Sequence, residues 1–209
     1  CYGEFTEELE PTDVGVDLMA GSLIKNPGGG LAKTGGYIVG RSDLVELCAN
    51  RLAAPGLGKE AGATLYSLQE MFQGFFLAPH VVGEALKGAL FTSCLLEKCG
   101  FVTNPSYTEH RTDLIQSVTF PPSEEMIAFC QAIQKASPIN SHVLPYPSYM
   151  PGYEHDVIMA AGTFVQGSSI ELTADGPIRA PYTAYVQGGL TYEHVKIAII
   201  RALKSIILE

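Results

Sequence analysis

The sequence predicts a mixed α/β chain in two parts: the end of a larger sheet domain over residues 1–100, then a small α+β domain over residues 101–209. Three observations carry this. With 46% hydrophobic residues, 17% charged residues and a mean hydropathy of +0.16, the 209 residues hold enough apolar material to bury a core. Apolar runs of strand length alternate with apolar positions recurring at three- and four-residue steps. Near Gly100 the texture changes, from a long apolar helical region to a polar, turn-rich stretch.

Taken in order, residues 7–13 are acidic and contain Pro11, which suits a solvated surface segment. Residues 17–24 read as a short buried strand running into Lys25. The glycine loop Asn26-Pro27-Gly28-Gly29-Gly30 follows, and after Gly35-Gly36 comes a second strand, residues 37–40. From Ser42, a candidate N-cap, Leu44, Leu47, Cys48 and Leu52 recur at helical spacing until Pro55 stops the pattern. A glycine-containing loop over residues 54–62 then leads to a long helical region, 64–99. An interruption is expected at Pro79, and Gly100 closes the helix.

The second part opens with polar residues 101–111, then a strand at 114–120. A helix follows at 123–135, where Ser123 makes a partial capping box because Met126 replaces the usual Glu. Pro145-Tyr146-Pro147 and Pro151-Gly152 mark an irregular loop. Strands are expected at 157–164, 168–173 and 182–187. The closing helix starts at Thr191 and sets Val195, Ala198, Ile199, Ala202, Leu203 and Ile206 on one face.

Charge and cysteine content narrow the function. Thirteen basic against 22 acidic residues give a net charge of -9, with no basic cluster to track phosphates, so nucleic acid is not an expected partner. No apolar stretch approaches the roughly 20 residues that span a bilayer, so no membrane partner is expected. Five cysteines, an odd number, fit reduced thiols in a cytoplasmic setting. The opening Cys1-Tyr2-Gly3-Glu4-Phe5 has neither an initiator Met nor a polar lead-in, and reads as the middle of a longer polypeptide.

The segment with most chemical promise is Gly21-Ser22-Leu23-Ile24-Lys25 with its glycine loop. A lysine ending a buried strand, three residues after a hydroxyl and before glycines that let backbone amides approach a phosphate, is what a lysine-linked aldehyde cofactor needs. The competing reading is a solvent-facing loop lysine. A nucleotide-binding phosphate loop requires the lysine after the glycines, and here it comes first. The five histidines are scattered, and Cys94 and Cys99 lack a histidine at ligand spacing, so no metal site is expected. Gly-x-Ser-x-Gly is absent, which leaves Ser168 as a turn residue.

Several motifs in order carry a resemblance. These are Cys1-Tyr2-Gly3-Glu4-Phe5, residues 21–30, Ala54-Pro55-Gly56-Leu57-Gly58-Lys59-Glu60, and Gln187-Gly188-Gly189-Leu190-Thr191-Tyr192-Glu193-His194. Together they resemble the methionine gamma-lyase-related proteins, also called aluminium-resistance proteins, of the cystathionine/methionine lyase group of fold-type I pyridoxal-phosphate enzymes. The resemblance covers essentially the whole chain. It implies the C-terminal portion of such a fold, with pyridoxal 5'-phosphate as cofactor, an amino acid as substrate, and a homodimer or homotetramer. It further implies that Lys25 binds the cofactor aldehyde and that Ser22 and Tyr2 contact the cofactor. The residue before the lysine is often Thr in the wider group, another phosphate ligand; here it is Ile24.

In that family an Asp holding the pyridine nitrogen protonated precedes the Cys-Tyr pair, and the stacking aromatic lies further upstream. The resemblance therefore implies only part of an active site. Fold-type I enzymes meet the substrate carboxylate with an Arg of the C-terminal domain, and Arg179 is the expected residue; the competing reading is a surface Arg paired with Asp175. Lys59 belongs to a glycine loop that either approaches a neighbouring subunit's cofactor or turns the chain. The implied reaction is elimination from a sulfur amino acid such as cystathionine or methionine. An aminotransferase, or an inactive binding or oligomerisation module, stays open.

Overall fold

A computed structural model describes residues 3–60, 64, 66–161 and 171–207. After a 3-10 turn at Pro11–Val14, strands β1 (Leu18–Ser22) and β2 (Gly36–Gly40) pair antiparallel, with Leu18 opposite Gly40 and Ser22 opposite Gly36. The first strand is shorter than expected. Once Leu23 N–H has bonded Gly35 O at 3.0 Å, the chain enters a second 3-10 turn, Asn26–Gly28. Tyr37 lies across β1, so a Cβ on Gly21 would sit 2.4 Å from its ring, and its hydroxyl donates to Glu4 Oε1 at 2.6 Å.

Helix α1 (Ser42–Leu52) runs as expected, but Ser42 is its first helical residue and Arg41 holds the cap position. The Arg41 guanidinium instead bridges Asp17 and Asp43 on the surface. Helix α2 (Leu68–Lys98) differs more: its 31 residues continue through Pro79 without a break. Proline deletes one backbone bond and crowds the carbonyl four residues back. The buried Ala78 and Val82 on either side hold adjacent turns against their neighbours, which offsets that loss. Gly100, at φ 91°, ends α2: Phe101 N–H bonds Leu96 O and Gly100 N–H bonds Glu97 O, both at 3.0 Å.

Five strands then form one antiparallel sheet in the order β3-β4-β7-β6-β5. They are β3 (Val102–Asn104), β4 (Gln116–Phe120), β5 (Val157–Ala160), β6 (Thr173–Pro177) and β7 (Tyr182–Gln187). The edge strand β3 falls where only turns were expected, since three residues carry no readable period. Strand β5 stops at Ala160, short of the expected 164, and β6 begins at Thr173, where the expected strand ended; residues 162–170 lie outside those described.

Helix α3 (Ser123–Ala136) and the C-terminal part of α2 pack on this sheet, and α4 (Tyr192–Ile207) packs against both helices and completes the core. Val118, Phe120, Ala174, Ala184 and Val186 meet Met126, Phe129, Ile133, Val195, Ile199 and Leu203 in the main core. Ser123 is the first residue of α3 and Pro122 its cap, which explains the incomplete capping box. Glu84 of α2 reaches the start of α4, where its Oε2 accepts the Tyr192 N–H at 2.9 Å and Oε1 takes Lys87 at 2.6 Å. No helix among the described residues is long and apolar enough to cross a membrane.

Candidate active site

Pairing register gathers one end of the sheet. Gln116 opens β4 opposite Val186, and Thr173 opens β6 opposite Gln187, so the start of β4, the end of β7 and the start of β6 lie together. The turn after Lys25 docks onto this end: Asn26 Nδ2 donates to Gly189 O at 3.1 Å, and a Cβ on Gly30 would meet Leu190 at 3.0 Å.

The turn also lies flat on α2. A Cβ on Gly29 would come 2.2 Å from Gly74 O, and one on Gly74 would come 2.0 Å from Gly28 O. A Cβ on Gly28 would strike Leu23 O at 1.6 Å. Here the structure corrects an expectation. The Gly28 and Gly29 amides bond Lys25 O and Asn26 O inside the turn, at 2.9 and 2.8 Å, rather than facing outward as a phosphate cradle. The glycines serve close approach between two backbones.

Lys25 is partly buried beside Asp175 of β6. Burial pulls its ammonium below the ordinary lysine range, and the Asp175 charge opposes that shift. The same withdrawal from water lifts the Asp175 carboxyl to about 6, against the pull of Lys25 and of Gln187, whose Nε2 donates to Asp175 Oδ2 at 3.3 Å. The outcome is an amine biased toward its neutral, nucleophilic form, with a carboxyl near enough to steady a proton on it. Ser22 Oγ accepts the Ile24 N–H at 3.2 Å, which tightens the chain between strand and lysine. Asn26 is 1% exposed, and its Oδ1 has no partner among the described residues. A half-sheltered amine, a nearby hydroxyl and a rigid turn form a donor set that fits a phosphorylated aldehyde.

Tyr2 lies outside the described residues. Arg179 is exposed in the β6–β7 connection, past the end of β6 opposite to Thr173. Among the described residues it makes no ion pair with Asp175; that carboxyl takes Gln187. Sequence reasoning passed over Asp175, Gln187 and Asn26 as site residues. Asn26 and Gln187 stand inside motifs that were singled out, and their neighbourhood was the available signal. A cavity of about 510 Å³ lies beside this site rather than at Lys25, and Met19, Tyr37, Met71, Phe72 and Phe75 line it. Among the described residues no cluster of His, Cys, Asp and Glu could hold a metal ion.

Known proteins resemble this chain over nearly its whole length. The methionine gamma-lyase family model matches residues 1–207. The protein YnbB of Bacillus subtilis is 72% identical over 206 residues, which are 99% of this chain and 49% of that protein. A Listeria monocytogenes structure, provisionally named a cystathionine beta-lyase involved in aluminum resistance, superposes with a TM-score of 0.94 at 67% identity, over 99% of this chain and 51% of its own. The carbon-sulfur lyase involved in aluminum resistance from Clostridium novyi gives 0.91 at 54%, over 99% and 48%. The chain thus spans about half the length of these relatives.

Proposed function

This chain belongs to the methionine gamma-lyase family, and from that membership we propose that it carries the lysine of a pyridoxal-phosphate-dependent carbon–sulfur lyase acting by elimination on a sulfur amino acid such as cystathionine or methionine. The lyase names of its relatives support the reaction class. The observation that carries the reading is Lys25, half-sheltered with its ammonium disfavoured, at the junction of the glycine turn and the sheet end.

Lys25, Ser22 and Tyr2 are the residues that would hold the cofactor. Pyridoxal phosphate, when bound, supplies an aldehyde that condenses with amines and a ring that stores the electrons left by Cα deprotonation. Lys25 Nζ is disposed to attack a carbonyl carbon and to take a proton as general base, because burial keeps its lone pair available. Asp175 steadies Nζ once it carries that proton, and Gln187 fixes Asp175 Oδ2. Assembly into a homodimer or homotetramer is part of the same proposal.

The test is direct. Pyridoxal phosphate added to the purified chain is expected to give a visible absorption band that Lys25→Ala abolishes. No band in the unaltered protein would favour an inert binding module. For the full-length protein, thiol and 2-oxo acid released from cystathionine or methionine support the lyase. Amino transfer to 2-oxoglutarate would make it an aminotransferase.

A further inference from the structure

We propose that Asn26 is a positioning residue, closing a ring of contacts that holds the Lys25 amine against Asp175; this rests on the reading of Lys25 given above. From Lys25 the chain passes to Asn26, whose Nδ2 donates across 163 residues to Gly189 O at 3.1 Å. From Gly189 the backbone runs back through Gly188 to Gln187, whose Nε2 donates to Asp175 Oδ2 at 3.3 Å. Asp175 lies close enough to Lys25 for each charge to act on the other. Two side-chain hydrogen bonds and two short backbone runs therefore close a ring around the amine and its carboxyl.

Each link is held in place. Lys25 O accepts the Gly28 N–H at 2.9 Å and Asn26 O accepts the Gly29 N–H at 2.8 Å, so the lysine backbone belongs to a closed turn. Asn26 is fully buried and its Oδ1 has no partner among the described residues, which leaves the bond to Gly189 to orient its side chain. Because Gly189 presents a carbonyl, the atom facing it is the donor Nδ2. Gly189, at φ 108°, is itself wedged: a Cβ there would sit 2.6 Å from Val195 of α4 and 3.8 Å from the Ala85 Cα of α2. Thr173 stands opposite Gln187, so Asp175, two residues on, shares that face of the sheet and takes Gln187 diagonally. A buried carbonyl stripped of its donor costs more than the bond contributes, so the ring resists opening at Asn26.

Asn26 carries no charge, and its influence on the amine runs through position. The other titratable groups around the ring are already committed. Burial and the Asp175 charge keep the Cys130 thiol of α3 neutral. Glu171 meets Gly189 through its backbone carbonyl, 3.6 Å from a built Cβ, and burial favours its protonated form. Glu84 of α2 is taken by Lys87 and Tyr192. Without the Asn26 bond the turn lifts from the sheet end and water reaches both Nζ and Asp175. Hydration then favours the ammonium, and so does a carboxylate that ionises more readily beside it.

The test uses the whole chain without pyridoxal phosphate. Trace acetylation with acetic anhydride is run across pH, and mass spectrometry reads the extent at Lys25 against the other lysines of the same sample. Asn26→Leu keeps the size of the side chain and loses its donor, whereas Asn26→Ala loses both. In each variant the Lys25 midpoint is expected to move up, toward the ordinary lysine range, while the other lysines and the circular dichroism stay as in the unaltered chain. An unmoved Lys25 midpoint overturns the proposal, and so does a shift common to all lysines, which marks general loosening. Nitrogen-15 NMR on the unaltered chain gives a reading that needs no folded variant. The Asn26 side-chain amide signal should shift at the pH where Lys25 acetylation turns on, and a signal flat through that pH overturns the proposal too. The visible band with pyridoxal phosphate separates this from the parent reading. A band with no Lys25 change in the variants sinks the Asn26 role alone, and a Lys25 change with no band sinks the cofactor reading alone.

Discussion

At position 175 the fold holds a carboxyl that keeps its proton up to pH about 6, while the lysine beside it is pushed the opposite way. Below the unfolded carboxyl value both states of Asp175 are protonated and it contributes nothing. As pH rises toward 6 the unfolded chain releases its proton and the native one does not, so stability falls, by a ceiling of about 3 kcal/mol at roughly 1.4 kcal/mol per pH unit. Asp175→Asn is expected to melt at the wild-type temperature near pH 3 and at a higher one at pH 8; equal melting at pH 8 would refute the assignment. Lys25 has the reverse sign. Its depressed value makes the native state more stable as pH climbs through it, and removing Asp175 depresses it further. The pH midpoint for reaction of Lys25 with pyridoxal phosphate should accordingly move down in Asp175→Asn, read from the rate at which the visible band grows. Lys25 and Ser22 are legible in the sequence because one contiguous segment carries hydroxyl, lysine and glycines together. Asp175 is not, because its burial depends on β6 pairing with β7 and on a turn some 150 residues earlier in the chain.

Among the elements, α2 is where sequence and structure part most usefully. Its apolar positions announce a helix, and the proline announces a stop that tertiary packing overrides. Pro79 is exposed, so Pro79→Ala restores a backbone bond without removing packing. A gain of about 1–2 kcal/mol is expected by chemical denaturation, after the extra unfolded-state freedom of Ala is subtracted. Gly74 points the other way. It looks like one more small residue in a long helix, yet its Cα faces the Gly28 carbonyl across a gap no side chain fits. Gly74→Val should leave helical circular dichroism near wild type while lifting the turn and weakening the visible band formed at Lys25, at a cost of about 1–3 kcal/mol in stability. A normal band in that variant would mean that the turn is not what positions the lysine. The sheet strands show the complementary limit. Val118, Phe120, Ala184 and Val186 alternate clearly enough to be read, but the order β3-β4-β7-β6-β5 rests on pairings between distant segments that no local period encodes.

For the whole molecule, the distribution of exposed apolar surface follows from where α2 leaves the core. Its C-terminal half buries Val82, Ala85, Ala89 and Leu96 against the sheet and α4, whereas its N-terminal half presents Phe72 and Phe76, 69% and 82% exposed, with Phe75 and the rim of the 510 Å³ cavity beside them. A patch of this kind marks an interaction surface in a folded protein and drives association when nothing covers it. The relatives carry about twice as many residues, so there is ample further chain in those proteins to lie on such a face. In the 209-residue chain the same surface should make association depend on protein concentration. Sedimentation velocity across a hundredfold dilution series is expected to show larger species that dissociate on dilution. Phe72→Glu with Phe76→Glu should give a single small species throughout, because two carboxylates desolvated at a contact cost more than the two rings contribute. Both substitutions lie on exposed positions, so the melting temperature should barely change. If the double variant associates like the wild type, the contact surface lies elsewhere, and the exposed half of α2 is not what brings these chains together.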